Sequence, residues 1–199
     1  MAGGGVPRVK LAKAPVLLKF LDNDNLVTFR QHWVNPGGNA KGDRPYLCRG
    51  TGCPLCKISL RSSQAVLYNV LQLSGGEPSN KVLMIGVKAD ESLIDQGSDA
   101  KGKLRISDGF WAVNRSGKGT SSQTNFQPVK ERDLEDDWDE IYEYFDPDDL
   151  DDVIAEAQEH KFDPGEVVQE TPLHELKQLA RHLASDEDDE DDEDDDEDG

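Results

Sequence analysis

Between residues 15 and 116 the chain repeats one pattern: short runs of β-branched, aromatic and aliphatic residues, each closed by turn formers. The runs are PVLLKFLD (15 to 22), LVTFRQHWV (26 to 34), AVLYNVLQL (65 to 73), KVLMIGV (81 to 87) and FWAVNRS (110 to 116), and the breaks include SGGEPSN and NRSGKGTSSQTN. β-Branched and aromatic side chains suit a pleated surface, whereas Gly, Pro, Asn and Ser supply the reversals between strands. The spacing predicts five or six short strands with no long helical crossover between most of them. That is a mainly β domain, a small barrel or sandwich, and not a parallel α/β sheet.

After residue 130 the period lengthens. Leu134, Trp138, Ile141, Tyr142 and Phe145 recur at helical spacing, and DPDDLDDVIAEAQEH (146 to 160) has an Asp-Pro start followed by apolar Leu150, Val153, Ile154 and Ala157. In TPLHELKQLARHLA (171 to 184), Thr171 is placed to cap a helix and Pro172 suits its first position; Leu173, Leu176, Leu179, Ala180 and Leu183 form the stripe. From Asp186 to Asp198 every residue is acidic. Such a run has nothing to bury and is expected to be disordered.

Charge sharpens this division. The formal net charge is −19, yet residues 1 to 130 carry 18 Lys+Arg against 9 Asp+Glu, and residues 131 to 199 carry 4 against 32. A basic body joined to an acidic segment points to a polyanion-binding domain with an interaction tail. The 199-residue chain, 35% hydrophobic, has room for one core domain with appendages. No run of 18 apolar residues and no signal-peptide-like start occur, so a cytoplasmic protein without a membrane span is expected.

All three cysteines fall within nine residues. His32, Cys48, Cys53 and Cys56 read H-x15-C-x4-C-x2-C, a set able to close a tetrahedral structural zinc site. Two thiolates two residues apart on a tight turn reach one ion together, and Gly50 and Gly52 permit the reversal between Cys48 and Cys53. A redox C-x-x-C is the rival reading, but it calls for a βαβ setting and leaves Cys48 and His32 without a role. Four protein ligands leave no open position for a substrate water, and no Ser-His-Asp set, phosphate-cradling loop or H-E-x-x-H element occurs. An enzyme is not expected.

An apolar first strand, a histidine followed by an aromatic stretch, CPLCKIS (53 to 59), a strand with the aromatic-Asn pair Tyr68-Asn69, a lysine-bearing strand and an acidic end together form a series. Over roughly residues 14 to 130 this series resembles the helix-destabilising single-stranded-DNA-binding proteins of T-even and other tailed bacteriophages. The resemblance implies an OB-fold-like barrel with an inserted zinc subdomain, one structural zinc on His32, Cys48, Cys53 and Cys56, and a groove for single strands. It also implies a role in phage DNA replication, recombination and repair in a bacterial host cell, with the tail recruiting a polymerase, helicase or recombinase and self-association on DNA. The expected organisation is a basic N-terminal arm (1–13), a core (14–130) with its zinc subdomain at about 30–60, an acidic helical segment (131–185) and a disordered acidic tail (186–199).

Binding single strands without sequence preference requires cations for the phosphates and aromatic faces for the bases. The candidate stacking residues are Phe29, Trp33, Tyr46, Tyr68, Phe110, Trp111 and Phe126. Because strand aromatics are more often core than ligand-facing, about half of these are expected inside. The candidate phosphate contacts are Arg30, Arg44, Arg49, Lys57, Arg61, Lys88, Arg115, Lys118 and Lys130. Two further classes stay open on the sequence: a zinc-containing protein-interaction module, such as a phage factor that docks host RNA polymerase, and an acidic DNA mimic, which the basic body disfavours.

Overall fold

The computed structural model describes residues 5–35, 43–117 and 121–188. Numbered along the chain, the strands are β1 (Val16–Phe20), β2 (Val27–Val34), β3 (Arg44–Leu47), β4 (Ser62–Gln72), β5 (Ser79–Gly86), β6 (Phe110–Ser116) and β7 (Gln123–Val129). The helices are α1 (Pro54–Lys57), α2 (Val87–Gly97), α3 (Leu134–Asp137), α4 (Leu150–Glu159), α5 (Pro164–Val167) and α6 (Leu173–Asp188). The protein is thus mainly β in its first two thirds, and the β1–β4, β1–β6, β2–β3, β4–β5 and β6–β7 pairings are antiparallel. It divides into two units: a larger one of Gly5–Thr28 with Ala65–Val167, and a smaller one that includes Phe29–Gln64 and the chain from Val168. No helix among the described residues is long and apolar enough to cross a membrane.

In the larger unit β4 lies between two partners. It pairs with β5 from Ala65 opposite Gly86 to Gln72 opposite Ser79, and with β1, where Phe20 faces Val70. β1 pairs in turn with β6, and β6 with β7. Side chains alternate across these strands. Leu18, Phe20, Val66, Tyr68, Val70, Leu83, Ile85, Trp111, Val113 and Phe126 form one core, closed by Leu93 of α2 and by Ile106. The opposite set, Leu17, Leu21, Leu71, Leu73 and Phe110, forms a second core with Leu134, Ile141, Leu150 and Ala157. Burial on both faces is why AVLYNVLQL is apolar at most positions of both parities and does not alternate.

The acidic helical stretch up to Val167 is therefore a packed layer of this unit. Asn69 fastens it: its Nδ2 donates to Phe162 O (3.0 Å) and its Oδ1 accepts from Phe162 N (3.1 Å). Asn80 Nδ2 reaches the carbonyls of Ala157 and His160, each at 2.8 Å. The single helix implied by the stripe from Leu134 to Phe145 is interrupted. The chain breaks at Trp138 (φ −139, ψ 33), and Ile141 reaches the core from a 3-10 turn over Asp139–Glu143. Like charges in EDDWDE repel across successive helical turns and weaken a continuous helix there.

The N-terminal stretch read as a basic arm is tied to the sheet over residues 7–13. Val9 N donates to Val82 O (3.1 Å), Val82 N to Pro7 O (2.9 Å) and Arg115 N to Ala12 O (2.8 Å). Val9 and Leu11 pack on the first core. Of the acidic tail expected at 186–199, residues from 189 onward lie outside the described residues, and Leu173–Asp188 is helical.

Candidate metal centre

The smaller unit is built on the β2–β3 pair, in which His32 faces Tyr46 and Val34 faces Arg44. After β3 the backbone reverses at Gly50 (φ +71), a left-handed conformation that suits glycine. Cys53 then leads into the single turn α1 with Pro54 at its first position, where a missing N–H costs nothing. This turn raises Cys53 and Cys56 toward His32. Cys48, just after β3, is held by its own amide on Arg30 O (2.8 Å).

The four ligand atoms lie within 4.8 Å of one another and form a group that can hold a metal ion. Cys53 Sγ and Cys56 Sγ each stand 3.5 Å from His32 Nε2, and Cys48 Sγ stands 3.5 Å from Cys56 Sγ. No disulfide joins the cysteines. His32 Nδ1 faces Arg61 O at 3.2 Å, which orients the ring and leaves Nε2 for the sulfurs. His32 is fully buried, and burial holds its pKa below the ordinary histidine value despite the carbonyls of Arg61 and Leu60. A neutral imidazole is the form a metal requires.

The thiols are unlike one another. Burial by itself pushes the Cys53 thiol up, but hydrogen bonds from the backbone of Arg49, Cys56 and Leu55, with help from Cys48, outweigh it and leave the pKa lowered. Cys56 is pushed up to about 11 by desolvation, then by its hydrogen bond with Cys48 and the charges of Cys48 and Cys53. Three sulfurs this close cannot all be anionic without a cation among them, and the backbone amides already favour the first thiolate at Cys53.

The C-terminal part of this unit packs onto the same turn. Leu176, Leu179 and Ala180 of α6 share a core with Val34, Tyr46, Cys53 and Leu55. Thr171, expected to cap α6, instead accepts the Leu47 N–H on its Oγ1 (3.2 Å), and the first helical bond runs from Leu176 N to Pro172 O (3.2 Å). Leu173, expected in the apolar stripe, is exposed. Arg49 Nε donates to Thr171 O (3.1 Å), and its Nη2 pairs with Glu170 Oε2 at 2.8 Å. Sequence reasoning missed Glu170 and Thr171 as neighbours of the cysteine turn, because nothing in the spacing links positions more than a hundred residues apart.

The residues expected to contact nucleic acid separate by unit. In the smaller one Arg30, Arg44, Arg49, Lys57 and Arg61 are exposed, Phe29 is half-buried, and Trp33 is exposed at 44% while Tyr46 is buried. In the larger one Lys88, Arg115 and Lys130 are exposed, and Arg115 Nη2 donates to Ser122 Oγ (2.6 Å). Lys118 lies outside the described residues. Tyr68, Phe110, Trp111 and Phe126 are all buried and offer no stacking face. Phe20 stands edge-on to Tyr68 (5.4 Å) and Trp111 (6.2 Å), and Trp111 edge-on to Phe126 (6.5 Å). Polar tips that a barrel surface would solvate are satisfied inside, Tyr68 Oη on Asp90 (2.6 Å) and Trp111 Nε1 on Ile106 O (2.8 Å). No family model, curated protein or solved structure matches the chain.

Proposed function

We propose that the protein is a zinc-containing single-stranded-DNA-binding protein that coats single strands during replication, recombination and repair, with its acidic end contacting partner proteins. The carrying observation is the concentration of ligand chemistry on the smaller unit. Residues 29–64 hold six Lys+Arg against one Asp+Glu, and Trp33 is the large aromatic most exposed there. Cations for phosphates beside an open ring for bases are what sequence-tolerant single-strand binding requires.

Zinc is the metal that the donors favour: three thiolates and one imidazole can fill the four corners of its tetrahedron, with no position left over. Ligands at 2.0 to 2.3 Å from one ion stand roughly 3.5–3.8 Å apart, an estimate that follows from the usual bond lengths. The separations of 3.5 Å between His32 Nε2, Cys53 and Cys56 agree with it.

The larger unit supports an OB-fold reading through its element order. β1, β4, β5, then α2, then β6 and β7 follow the element order of a five-stranded barrel with a helix between its third and fourth strands, and α2 packs against both β5 and β7. In such barrels ligands use the face of the second and third strands and the loops from strand one to two and four to five. Here those strands are β4 and β5, and Asn69, Leu71, Leu73 and Asn80 are engaged by the acidic layer. The connection from the first strand to the second includes residues 29–64, which hold six Lys+Arg against one Asp+Glu.

The covered face favours a second reading: a zinc-bearing protein-interaction module whose acidic layer meets a basic partner. Titrating a labelled oligo(dT) into the protein separates the two. Single-strand binding is expected with log K falling against log[salt] by about 0.7 per phosphate contacted and with duplex bound more weakly. Absence of binding at low salt rejects the first reading and leaves the second.

A further inference from the structure

We propose that the metal centre is completed by the C-terminal segment 170–183, so that metal binding and docking of α6 are thermodynamically linked; this rests on the zinc reading above. The three-residue stretch around the first cysteine ligand is held from both sides by Thr171. Leu47 N donates to its Oγ1 and Arg49 Nε to its carbonyl, so Cys48 sits between two anchors on one residue. The guanidinium of Arg49 also pairs with Glu170. The residue that follows the ligand Cys48 is therefore tied twice to the chain entering α6.

Packing makes the same connection. Cys53 and Leu55 flank the ligand turn, both fully buried, and they share one core with Leu176, which is also fully buried, and with Leu179 and Ala180. Undocking α6 exposes the apolar side of the cysteine turn and leaves the Leu47 amide and the Arg49 fork without their partners. Conversely, a turn of four residues has no helical stability of its own. The ion fixes its geometry and thereby preserves the surface on which α6 rests. Because linkage is reciprocal, whatever factor the helix adds to metal affinity, the metal adds to helix docking.

The test uses the full chain. Zinc affinity is measured by chelator competition for wild type, Thr171→Val, Leu176→Ala and the exposed control Lys177→Ala, and amide exchange over 173–183 is compared in zinc-loaded and metal-stripped protein. Outer partners of metal ligands typically contribute about 10–100-fold in affinity. Thr171→Val and Leu176→Ala are expected to weaken zinc by about tenfold or more on that scale. Lys177→Ala leaves affinity unchanged, and stripping zinc accelerates exchange in 173–183 but not in Leu150–Glu159. Wild type that binds zinc with unchanged affinity in Thr171→Val and unchanged exchange in 173–183 overturns the linkage alone. Should Leu176→Ala fail to fold, Thr171→Val and the wild-type exchange comparison still decide. Wild type that takes up no zinc overturns both the linkage and the zinc reading.

Discussion

In the larger unit the least exposed side chains are aliphatic and aromatic: Leu17, Leu18, Phe20, Leu67 and Tyr68 on strands, Leu134 and Ile141 on the layer above them. In the smaller unit they include His32 and Cys53, two residues with metal-binding atoms, beside only a few apolar neighbours. The larger unit has two apolar cores to offset the entropy of ordering its chain; the smaller has one modest core and a ligand cluster. Their charges differ as well. Residues 131–167 add seventeen Asp+Glu and two Lys+Arg to the larger unit, whereas 29–64 are basic.

The largest effect that breaks this comparison is metal removal. Structural zinc contributes apparent binding free energies of about 10–16 kcal/mol in zinc-finger peptides, and that energy is folding energy. Chelation or Cys53→Ser is expected to abolish exchange protection in 43–64 and leave β4–β5 and β6–β7 protected, read by hydrogen exchange mapped to each segment. Simultaneous loss in both units shows that they fold as one.

Next in size is Phe20→Ala. Its ring meets Tyr68 and Trp111 edge-on at full burial, and removing such a core ring costs about 3–5 kcal/mol. Denaturant unfolding followed by Trp111 emission is expected to shift accordingly, while zinc content stays at about one per chain, as a closed four-ligand site implies. Loss of zinc in this variant contradicts the separation of the two sources of stability.

The sequence made some of this plain and concealed the rest for physical reasons. Strands β1, β2, β4, β5 and β6 were readable because apolar runs ended in turn formers, and the His32, Cys48, Cys53 and Cys56 cluster was readable because chelation restricts spacing. β3 and β7 were not: RPYL is four residues with a proline, and QTNFQPV carries one buried apolar side chain, Phe126. α2 was missed because VKADESLIDQG follows a strand without a break and buries only Leu93 and Gly97. Which aromatics were core depended on whether the outward side of each strand stayed open. At Phe110 it did not, since Leu134 and Ile141 come from a segment that reads as an acidic appendage. Trp33 and Tyr46 show the same limit within one hairpin. They lie one register step apart, and strand parity puts them on opposite faces.

That difference supports a prediction about ligand binding. Trp33→Ala removes an exposed ring from β2, and base stacking on such a ring is worth about 1–3 kcal/mol. Oligo(dT) affinity is expected to fall by that amount with thermal midpoint and zinc content unchanged. Trp111→Phe is expected to leave affinity unaltered, because Trp111 is buried among Phe20 and Phe126. Equal loss in both variants assigns the effect to stability and removes Trp33 as a contact.

The smallest expected effect concerns how the acidic layer is held to the larger unit. Two kinds of polar tie are available: the ion pair of Lys161 with Asp22 at 2.7 Å, and the paired hydrogen bonds between Asn69 and the Phe162 backbone. The ion pair is partly solvated on both sides, so screening and side-chain entropy limit it to about 0–1 kcal/mol. Asn69 is buried, and truncating it leaves an N–H and a carbonyl of Phe162 without partners, a loss of about 1–3 kcal/mol. Lys161→Ala is therefore expected to change stability by less than Asn69→Ala, and its effect to vanish in molar salt, where the screening length falls to roughly 3 Å. Denaturant midpoints at low and high salt measure both. If Lys161→Ala proves the costlier change and keeps its cost in salt, charge and not buried amide pairing fastens the acidic layer, and the layer becomes releasable by any polyanion that competes for Lys161.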